Sequence, residues 1–215
     1  NNLFVKENIK NFPIDPFEII RNNTWGLISY TELARKHGIS VQDVVNTFQS
    51  EDGYTIYDGS NYTIAFNDTI RVYGRIKFTL MHEIGHIYMN HLVDFDETIL
   101  TRSSLTEKKY KVLENEANAF ARNIMAPVMV VKELKINNSS DVVRYFDMSR
   151  KAAKVRLETM LQDYRYSLSN LIQFQRTHFK SFIYNCLFSK HCSVCTYNFV
   201  DDQAEFCPIC SSNKL

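Results

Sequence analysis

The segment His82-Glu83-Ile84-Gly85-His86 constrains this chain more than any other part of its sequence. It has the H-E-x-x-H spacing, which puts two histidines on one face of a helix, where both imidazoles can bind one metal ion. Zinc lowers the pKa of a water that it holds to about 7, and a neighbouring carboxylate can accept the proton. The motif therefore predicts a helix with His82 and His86 as zinc ligands and Glu83 as general base in the hydrolysis of a peptide bond.

The surrounding residues favour a buried helix. An apolar stripe at helical spacing is formed by Ile76, Leu80, Ile84 and Ile87. Gly85 is unfavourable inside a helix by about 1 kcal/mol relative to Ala. A glycine at this position therefore indicates that another segment packs close to the helix beside the motif.

A catalytic zinc needs a third protein ligand and one open position. A metzincin would supply a histidine at position 92, but the residue there is Leu92, and His91 is one residue out of register. His91 therefore fits a helix end, or a group that supports a ligand, better than a ligand itself. No cysteine precedes His82, which argues against a deformylase-like site.

A second helix downstream offers carboxylates as the third ligand. Glu116 flanks an apolar stripe, whereas Glu114 lies about 200° away around the helix, so both cannot face one metal. A carboxylate at the buried edge of a helix is costly unless it is paired or bound to a metal. The sequence thus predicts Glu116 as the ligand and Glu114 as solvated, the alternative being that Glu116 is a boundary residue with access to water. The stripe consists of Leu113, Ala117, Phe120 and Ile124.

The carboxyl-terminal residues carry a second metal signal. Cys192-x-x-Cys195 and Cys207-x-x-Cys210 are separated by eleven residues, which is typical of a four-thiolate structural zinc site in a zinc ribbon. A rubredoxin-like iron site and disulfides are the alternatives. Zinc would supply the folding free energy that about 25 residues cannot obtain from burial alone.

Strand signals lie before the H-E-x-x-H motif. Residues 54–57 and 62–67 are rich in β-branched and aromatic side chains and flank Asp58-Gly59, which predicts a hairpin. Residues 62–67 are the expected edge strand that would pair with extended substrate. Tyr54 and Tyr73 are candidates for stabilising the oxyanion. Earlier, residues 31–44 predict two helices, capped by Thr31 and Ser40, that pack on the sheet.

Basic side chains are concentrated in residues 127–190, with 11 basic and 5 acidic residues against 13 basic and 16 acidic in residues 1–126. Within this segment a short helix ending near Phe146, a turn at Asp147 and a helix from Arg150 to Leu161 capped by Ser149 predict a helix-turn-helix. Its basic face would include Arg150, Lys151, Lys154 and Arg156. Residues 149–161 would then contact DNA, bind a protein substrate, or simply pack with a solvated basic face.

Three segments together carry a resemblance to a known family. The run Phe78-Thr79-Leu80-Met81-His82-Glu83, the later Glu116-Ala117-Asn118, and the step to Met125-Ala126-Pro127 resemble the ImmA/IrrE family of bacterial metallopeptidases over roughly residues 10–165. The resemblance implies a zincin fold, His82, His86 and Glu116 as metal ligands, and Glu83 as general base. It also implies cleavage of a helix-turn-helix transcriptional repressor, often encoded on a mobile element or in a stress regulon.

These observations predict an α+β chain with a zincin-like domain over residues 1–126, containing a small antiparallel sheet and the active-site helices. A helix-turn-helix-like segment (127–165), a helical connector (166–190) and a four-Cys zinc ribbon (191–215) follow. We expect a zinc endopeptidase with one catalytic and one structural zinc. We also expect it to be cytoplasmic, because the sequence contains no run of about 18 apolar residues, the length that is needed to span a membrane. A regulator that binds DNA, through residues 149–161 or the ribbon, or binds a repressor without cleaving it is the alternative. Residues 94–110 are expected to form a polar loop beside the cleft.

Overall fold

A computed structural model describes residues 2–94 and 106–215. The centre of the loop expected over residues 94–110 lies outside these ranges. In chain order the elements are α1 (Asn2–Lys6), α2 (Pro16–Asn22), β1 (Gly26–Ser29), α3 (Tyr30–His37), α4 (Val41–Phe48), β2 (Gly53–Tyr57), β3 (Tyr62–Phe66), α5 (Tyr73–Tyr88), α6 (His91–Asp94), α7 (Glu107–Met125), α8 (Val128–Glu133), α9 (Ser139–Phe146), α10 (Arg150–Tyr166), α11 (Ser169–His178), α12 (Lys180–Phe188), β4 (Ser189–His191) and β5 (Asn198–Val200). The expected α+β class is confirmed, with small sheets in a mostly helical chain.

The larger sheet has the strand order β1-β3-β2. Strands β2 and β3 form the predicted antiparallel hairpin, while β1 pairs with β3 in parallel, so the sheet is mixed and not purely antiparallel. The expectation that residues 62–67 form the substrate edge is therefore wrong, because β3 is hydrogen-bonded on both sides. Within the described parts of the chain, the strand beside the active-site helix that keeps a free edge is β2.

The two faces of the sheet are covered by different helices. Side chains of a strand alternate between faces, and Thr55 points toward α5, where its hydroxyl contacts Glu83. Tyr54 points the other way and packs in a cluster with α3 and α4, as expected for two helices lying on the sheet. The cap of α3 is Ser29 and not Thr31, whereas Ser40 caps α4 in a capping box, as expected.

The core of the molecule is built around α5 and α7. The predicted stripe of α5 is buried, and α5 makes its most extensive helix contact with α7. A Cβ atom placed on Gly85 would lie 3.1 Å from the ring of Phe120 and 3.4 Å from the Cα of Ala117. Glycine at position 85 therefore allows the close approach of the two helices that carry the candidate ligands.

Helices α9 and α10 are the two helices that were expected on either side of a turn at Asp147. Asp147 takes the left-handed conformation at φ 51°, and Ser149 caps α10, which continues to Tyr166. The turn is packed against α5, since a Cβ on Gly74 would lie only 2.7–2.9 Å from backbone atoms of residues 147–149. Lys77 also donates to Asp147 at 2.6 Å. The turn is therefore part of the core and not a separate module.

One residue expected on the basic face of α10 is buried. The side chain of Arg156 is 0% exposed and pairs with Asp163 at 2.7 Å, while Asp163 also accepts from Arg122. Arg156 is thus unable to contact a phosphate group in this structure. Arg150, Lys151 and Lys154 remain exposed at the start of α10.

The connector docks on the chain itself. Phe179, between α11 and α12, is fully buried, and its ring contacts Phe4 at 4.9 Å and Phe12 at 4.8 Å between centroids. Phe182 also packs on Phe12. The carboxyl-terminal helices are therefore held by the amino-terminal segment. Among the described residues, none of the helices combines the length and apolarity that crossing a bilayer requires.

Candidate active site

Helix α5 brings the expected histidine pair together. The Nε2 atoms of His82 and His86 lie 3.0 Å apart. His86 is almost wholly buried, and the His82 side chain is only 13% exposed. Two imidazoles with converging, shielded nitrogens on successive turns are the arrangement that the H-E-x-x-H spacing predicts.

The carboxylate that joins the pair is Glu114, and the expectation for Glu116 is corrected. Glu114 places one oxygen 3.4 Å from His82 Nε2 and the other 3.4 Å from His86 Nε2. Glu116 contacts His91 instead, at 3.2 Å, and its side chain is 52% exposed. A single metal ion facing the two histidines would therefore meet Glu114, the residue that the sequence placed in solvent.

The reason lies in which residues of α7 are buried. The buried set is Leu113, Ala117, Ala121, Ile124 and Met125, and it spans an arc of about 120° at about 100° per residue. Glu114 falls inside this arc, whereas Glu116 lies about 60° beyond its edge. The stripe read from the sequence used the large Phe120 in place of the small Ala121, which turned the inferred face toward Glu116.

The three side chains fit zinc. Ligand atoms about 2.0–2.2 Å from zinc in a tetrahedron are separated by roughly 3.3–3.5 Å. The observed separations of 3.0 and 3.4 Å are close to those values. Two imidazoles and one carboxylate are also the donor set of many catalytic zinc sites with an open fourth position. His82, His86 and Glu114 are therefore the residues that would hold the ion.

Each histidine has a further partner on its outer nitrogen. His82 Nδ1 lies 3.2 Å from the Oδ1 of Asn118, one turn after Glu114 on α7. His86 Nδ1 lies 2.9 Å from Nδ1 of His91, which begins α6 and in turn contacts Glu116. The supporting role that the sequence suggested for His91 agrees with this position. Asn118 was not recognised, although its spacing of four residues from Glu114 places both on one face.

Glu83 is buried beside the histidines and has one oxygen already occupied. Thr55 of β2 donates its hydroxyl to Glu83 Oε2 at 2.7 Å, and both residues are less than a tenth exposed. The other oxygen remains for a proton from water. No local pattern of residues indicates Thr55, because the contact joins a strand and a helix that are 28 residues apart.

These residues line a cavity of about 300 Å³ between β2, α5 and α7. Tyr110 also lines it, four residues before Glu114 and on the same side of α7. The two tyrosines named from the sequence are placed differently. Tyr54 lines the same cavity and its ring is stacked on Phe48, whereas Tyr73 is exposed at the start of α5.

The electrostatics favour an ionised Glu114. Burial opposes its ionisation, but the hydrogen bonds and charges of His82 and His86 outweigh burial and hold the pKa of Glu114 well below its usual range. Burial also opposes protonation of His82, yet the hydrogen bond to Glu114 and the charge of Glu83 raise the pKa of His82. A metal ion that enters this cluster would replace a proton and would bind Glu114 in its fully ionised, negatively charged form.

The four ribbon cysteines also converge. Their sulfurs lie within 4.8 Å of one another, with 3.5 Å between Cys192 and Cys210 and between Cys195 and Cys207. The S–S bond of a disulfide is about 2.05 Å, so these cysteines are free, whereas thiolates around zinc lie roughly 3.8 Å apart. Backbone hydrogen bonding, chiefly from Cys195, lowers the pKa of Cys192 to about 6. In Cys195, the backbone hydrogen bond of Tyr197 is outweighed by burial and the neighbouring sulfurs, which raise the pKa, so the cluster shares its protons unevenly.

Comparison with known proteins also indicates a peptidase. The model of the Peptidase_M78 family, described as the IrrE N-terminal-like domain, matches residues 34–158. The matched region is more than half of the 215 residues and contains every residue of the histidine site. No curated protein matches the chain. The chain therefore belongs to the Peptidase_M78 family and is a zincin-like metallopeptidase of the ImmA/IrrE type.

Proposed function

We propose that the protein is a zinc-dependent endopeptidase that cleaves a transcriptional repressor or another regulatory protein. The observation that carries the proposal is the convergence of His82, His86 and Glu114 beside Glu83 in a cavity bordered by the free edge of β2. Zinc held there supplies a Lewis acid that polarises the peptide carbonyl and acidifies water. The four cysteines are proposed to hold a second, structural zinc.

Glu83 is the residue proposed to move protons. Because Thr55 occupies Oε2, the free Oε1 accepts a proton from the attacking water. The same carboxyl then passes the proton to the nitrogen of the leaving amine as the peptide bond breaks. His82 and His86 do not take part in this transfer, since their Nε2 lone pairs face Glu114 and the proposed ion.

The edge of β2 that no described strand covers supports an internal cleavage site. An extended substrate can pair with the backbone of β2 as an added strand, because β2 uses its other edge to pair with β3. Gly53, Tyr54 and Thr55 of β2 line the cavity next to the catalytic residues. Substrate would continue past the cavity on both sides, which suits an endopeptidase. The repressor as substrate rests on kinship with the ImmA/IrrE family.

The test is the variant Glu83→Gln. It removes the proton acceptor but keeps the size of the side chain and its hydrogen bond with Thr55. We expect zinc content and thermal stability to stay unchanged while cleavage of an unfolded reporter protein falls about 100-fold or more. The measurement is product formation by mass spectrometry, with Glu18→Gln in the exposed first turn of α2 as a control.

Cleavage by Glu83→Gln at the rate of the wild type would remove the proposed mechanism. The alternative function, a regulator that binds a repressor or DNA without cleaving it, would be favoured by a different result: no cleavage by the wild type and equal regulatory activity in Glu83→Gln, because binding alone tolerates the loss of Glu83. Arg150, Lys151 and Lys154 are exposed at the start of α10 and support DNA contact in that case. The burial of Arg156 and the packing of the turn on α5 weigh against it.

A further inference from the structure

Three side chains form a line that runs from the protein surface to the candidate metal site. Glu116 Oε2 lies 3.2 Å from His91 Nε2. His91 Nδ1 lies 2.9 Å from His86 Nδ1, and the other nitrogen of His86 faces His82 and Glu114. His91 and His86 are buried, whereas the Glu116 side chain is 52% exposed.

The proton positions along this line follow from donor and acceptor chemistry. An ionised carboxylate only accepts hydrogen bonds, so Nε2 of His91 must carry a hydrogen. A neutral imidazole has one N–H, so Nδ1 of His91 is an acceptor and the hydrogen in the 2.9 Å contact belongs to Nδ1 of His86. His86 is then left with a bare lone pair on Nε2, which faces Glu114 Oε1 at 3.4 Å, and a metal ion between these two acceptor atoms would satisfy both.

The opposite arrangement is unfavourable. If Nδ1 of His91 carried the hydrogen, its bare Nε2 would face the Glu116 carboxylate at 3.2 Å, with two acceptors in contact. A doubly protonated His91 would place a buried positive charge beside the metal site, and a dication would repel it. The line of contacts therefore selects one tautomer of His86.

His82 reaches the same state through a different partner. The Oδ1 of Asn118 accepts from Nδ1 of His82 at 3.2 Å, which also leaves Nε2 bare. The contacts from Glu116 through His91 to His86 end in an ionised carboxylate, whereas the Asn118 amide is neutral. They should therefore have the stronger effect, because an ionised acceptor strengthens hydrogen bonds and raises the basicity of the metal ligand to which it is linked.

We propose that Glu116 and His91 are positioning residues that hold His86 in the Nδ1–H tautomer and so strengthen zinc binding at His82, His86 and Glu114. The inference rests on the proposed zinc site. It gives Glu116 a role that does not require contact with the metal, and it makes the exposed carboxylate part of the site from a distance.

The test measures zinc affinity of the full chain by competition with a chromophoric chelator. The binding event of interest is the one abolished by His82→Ala. Glu116→Ala replaces an exposed helical residue, and His91→Phe keeps a ring in the buried position. Each is expected to weaken this event by about 10- to 100-fold. The control Asn115→Ala, also exposed on α7, should bind zinc like the wild type.

Two further measurements separate positioning from ligation and from loss of structure. The double variant Glu116→Ala/His91→Phe should be no weaker than the weaker single variant, because the two residues act in series. Cobalt bound at the same site should keep the electronic spectrum of the wild type in Glu116→Ala, since the ligand set is unchanged. Glu114→Ala should alter that spectrum or abolish the event.

Each other result overturns the inference. Wild-type zinc affinity in Glu116→Ala, or losses of zinc affinity that add up in the double variant, would show that Glu116 and His91 do not act on His86 in series. A cobalt spectrum altered by Glu116→Ala as it is by Glu114→Ala would make Glu116 a ligand. These outcomes leave the peptidase proposal standing, whereas a wild-type protein without any His82-dependent zinc binding would remove both.

Discussion

The hydroxyl of Thr55 fixes the proposed general base from the side of the sheet. Replacing Thr55 with the isosteric Val leaves one oxygen of the buried Glu83 without a partner, and the carboxylate is then free to rotate toward the histidines. A hydrogen bond to a charged group contributes about 1.5–3 kcal/mol. We therefore expect kcat of Thr55→Val to fall about 10- to 100-fold with little change in KM. Thr55→Ser, which restores the hydroxyl, should recover most of the rate in steady-state assays; an equal loss in both variants would contradict this role.

Three of the four residues that are proposed to hold the metal ion and move the proton were already named from the sequence. The spacing of His82, Glu83 and His86 is local, because one helix carries all three. The choice between Glu114 and Glu116 is not local. It depends on which side of α7 meets α5, and the decisive side chain is the small Ala121 rather than the large Phe120. An apolar count favours the larger residue, whereas close packing of two helices favours the smaller one.

Helix α10 is joined to α7 by an ionic cluster that sequence patterns assigned to solvent. Arg156 and Arg122 both bind Asp163, and Arg156 is fully buried. Removing the single acid leaves a buried, unpaired cation, which typically costs 3–5 kcal/mol. Asp163→Asn should therefore lower the free energy of unfolding by about 3 kcal/mol at pH 7 in denaturant titrations. Glu158→Gln, which removes an exposed partner of Lys154 on the same helix, should change it by less than about 0.5 kcal/mol.

The effect of Asp163→Asn should depend on pH. Burial works against ionisation of Asp163, but Arg122 and Arg156 outweigh burial and lower its pKa below the usual value. For an acid with a lowered folded pKa, the stabilisation is complete above the unfolded pKa of about 4 and is lost as the pH falls through the folded value. The difference between wild type and variant should be constant from pH 7 to about pH 5 and narrow below about pH 4. A difference that grows in acid would contradict the assignment.

Secondary-structure elements could be predicted where neighbouring residues determine them. Predictions failed where an element depends on pairing with a strand that is distant in sequence. The hairpin, the cap at Ser40 and the left-handed Asp147 all follow from neighbouring residues, and all are present. The central position of β3 in the sheet depends on its parallel pairing with β1, which lies more than 30 residues away in sequence. No turn residue encodes that pairing, so the free edge was assigned to the wrong strand.

The whole molecule is proposed to contain two metal sites that serve different ends. The wild type should carry two zinc ions, and His82→Ala and Cys207→Ser should each carry one, as measured by atomic emission on purified protein. A four-thiolate site supplies folding free energy to its own ribbon. Cys207→Ser should therefore expose residues 189–215 to proteolysis while leaving the remaining chain intact on a gel. Two zinc ions in either variant would contradict the assignment of that site.

Strand addition to β2 also determines how substrates would be selected. The edge of β2 offers five residues, Gly53–Tyr57, whose backbone groups read an extended chain with little regard to its side chains. A folded protein presents no such chain unless a segment of several residues separates from its own structure. Cleavage sites would therefore be chosen by local unfolding, in linkers and frayed ends, more than by a consensus sequence. A regulatory protein would become a substrate at the moment its own packing loosens.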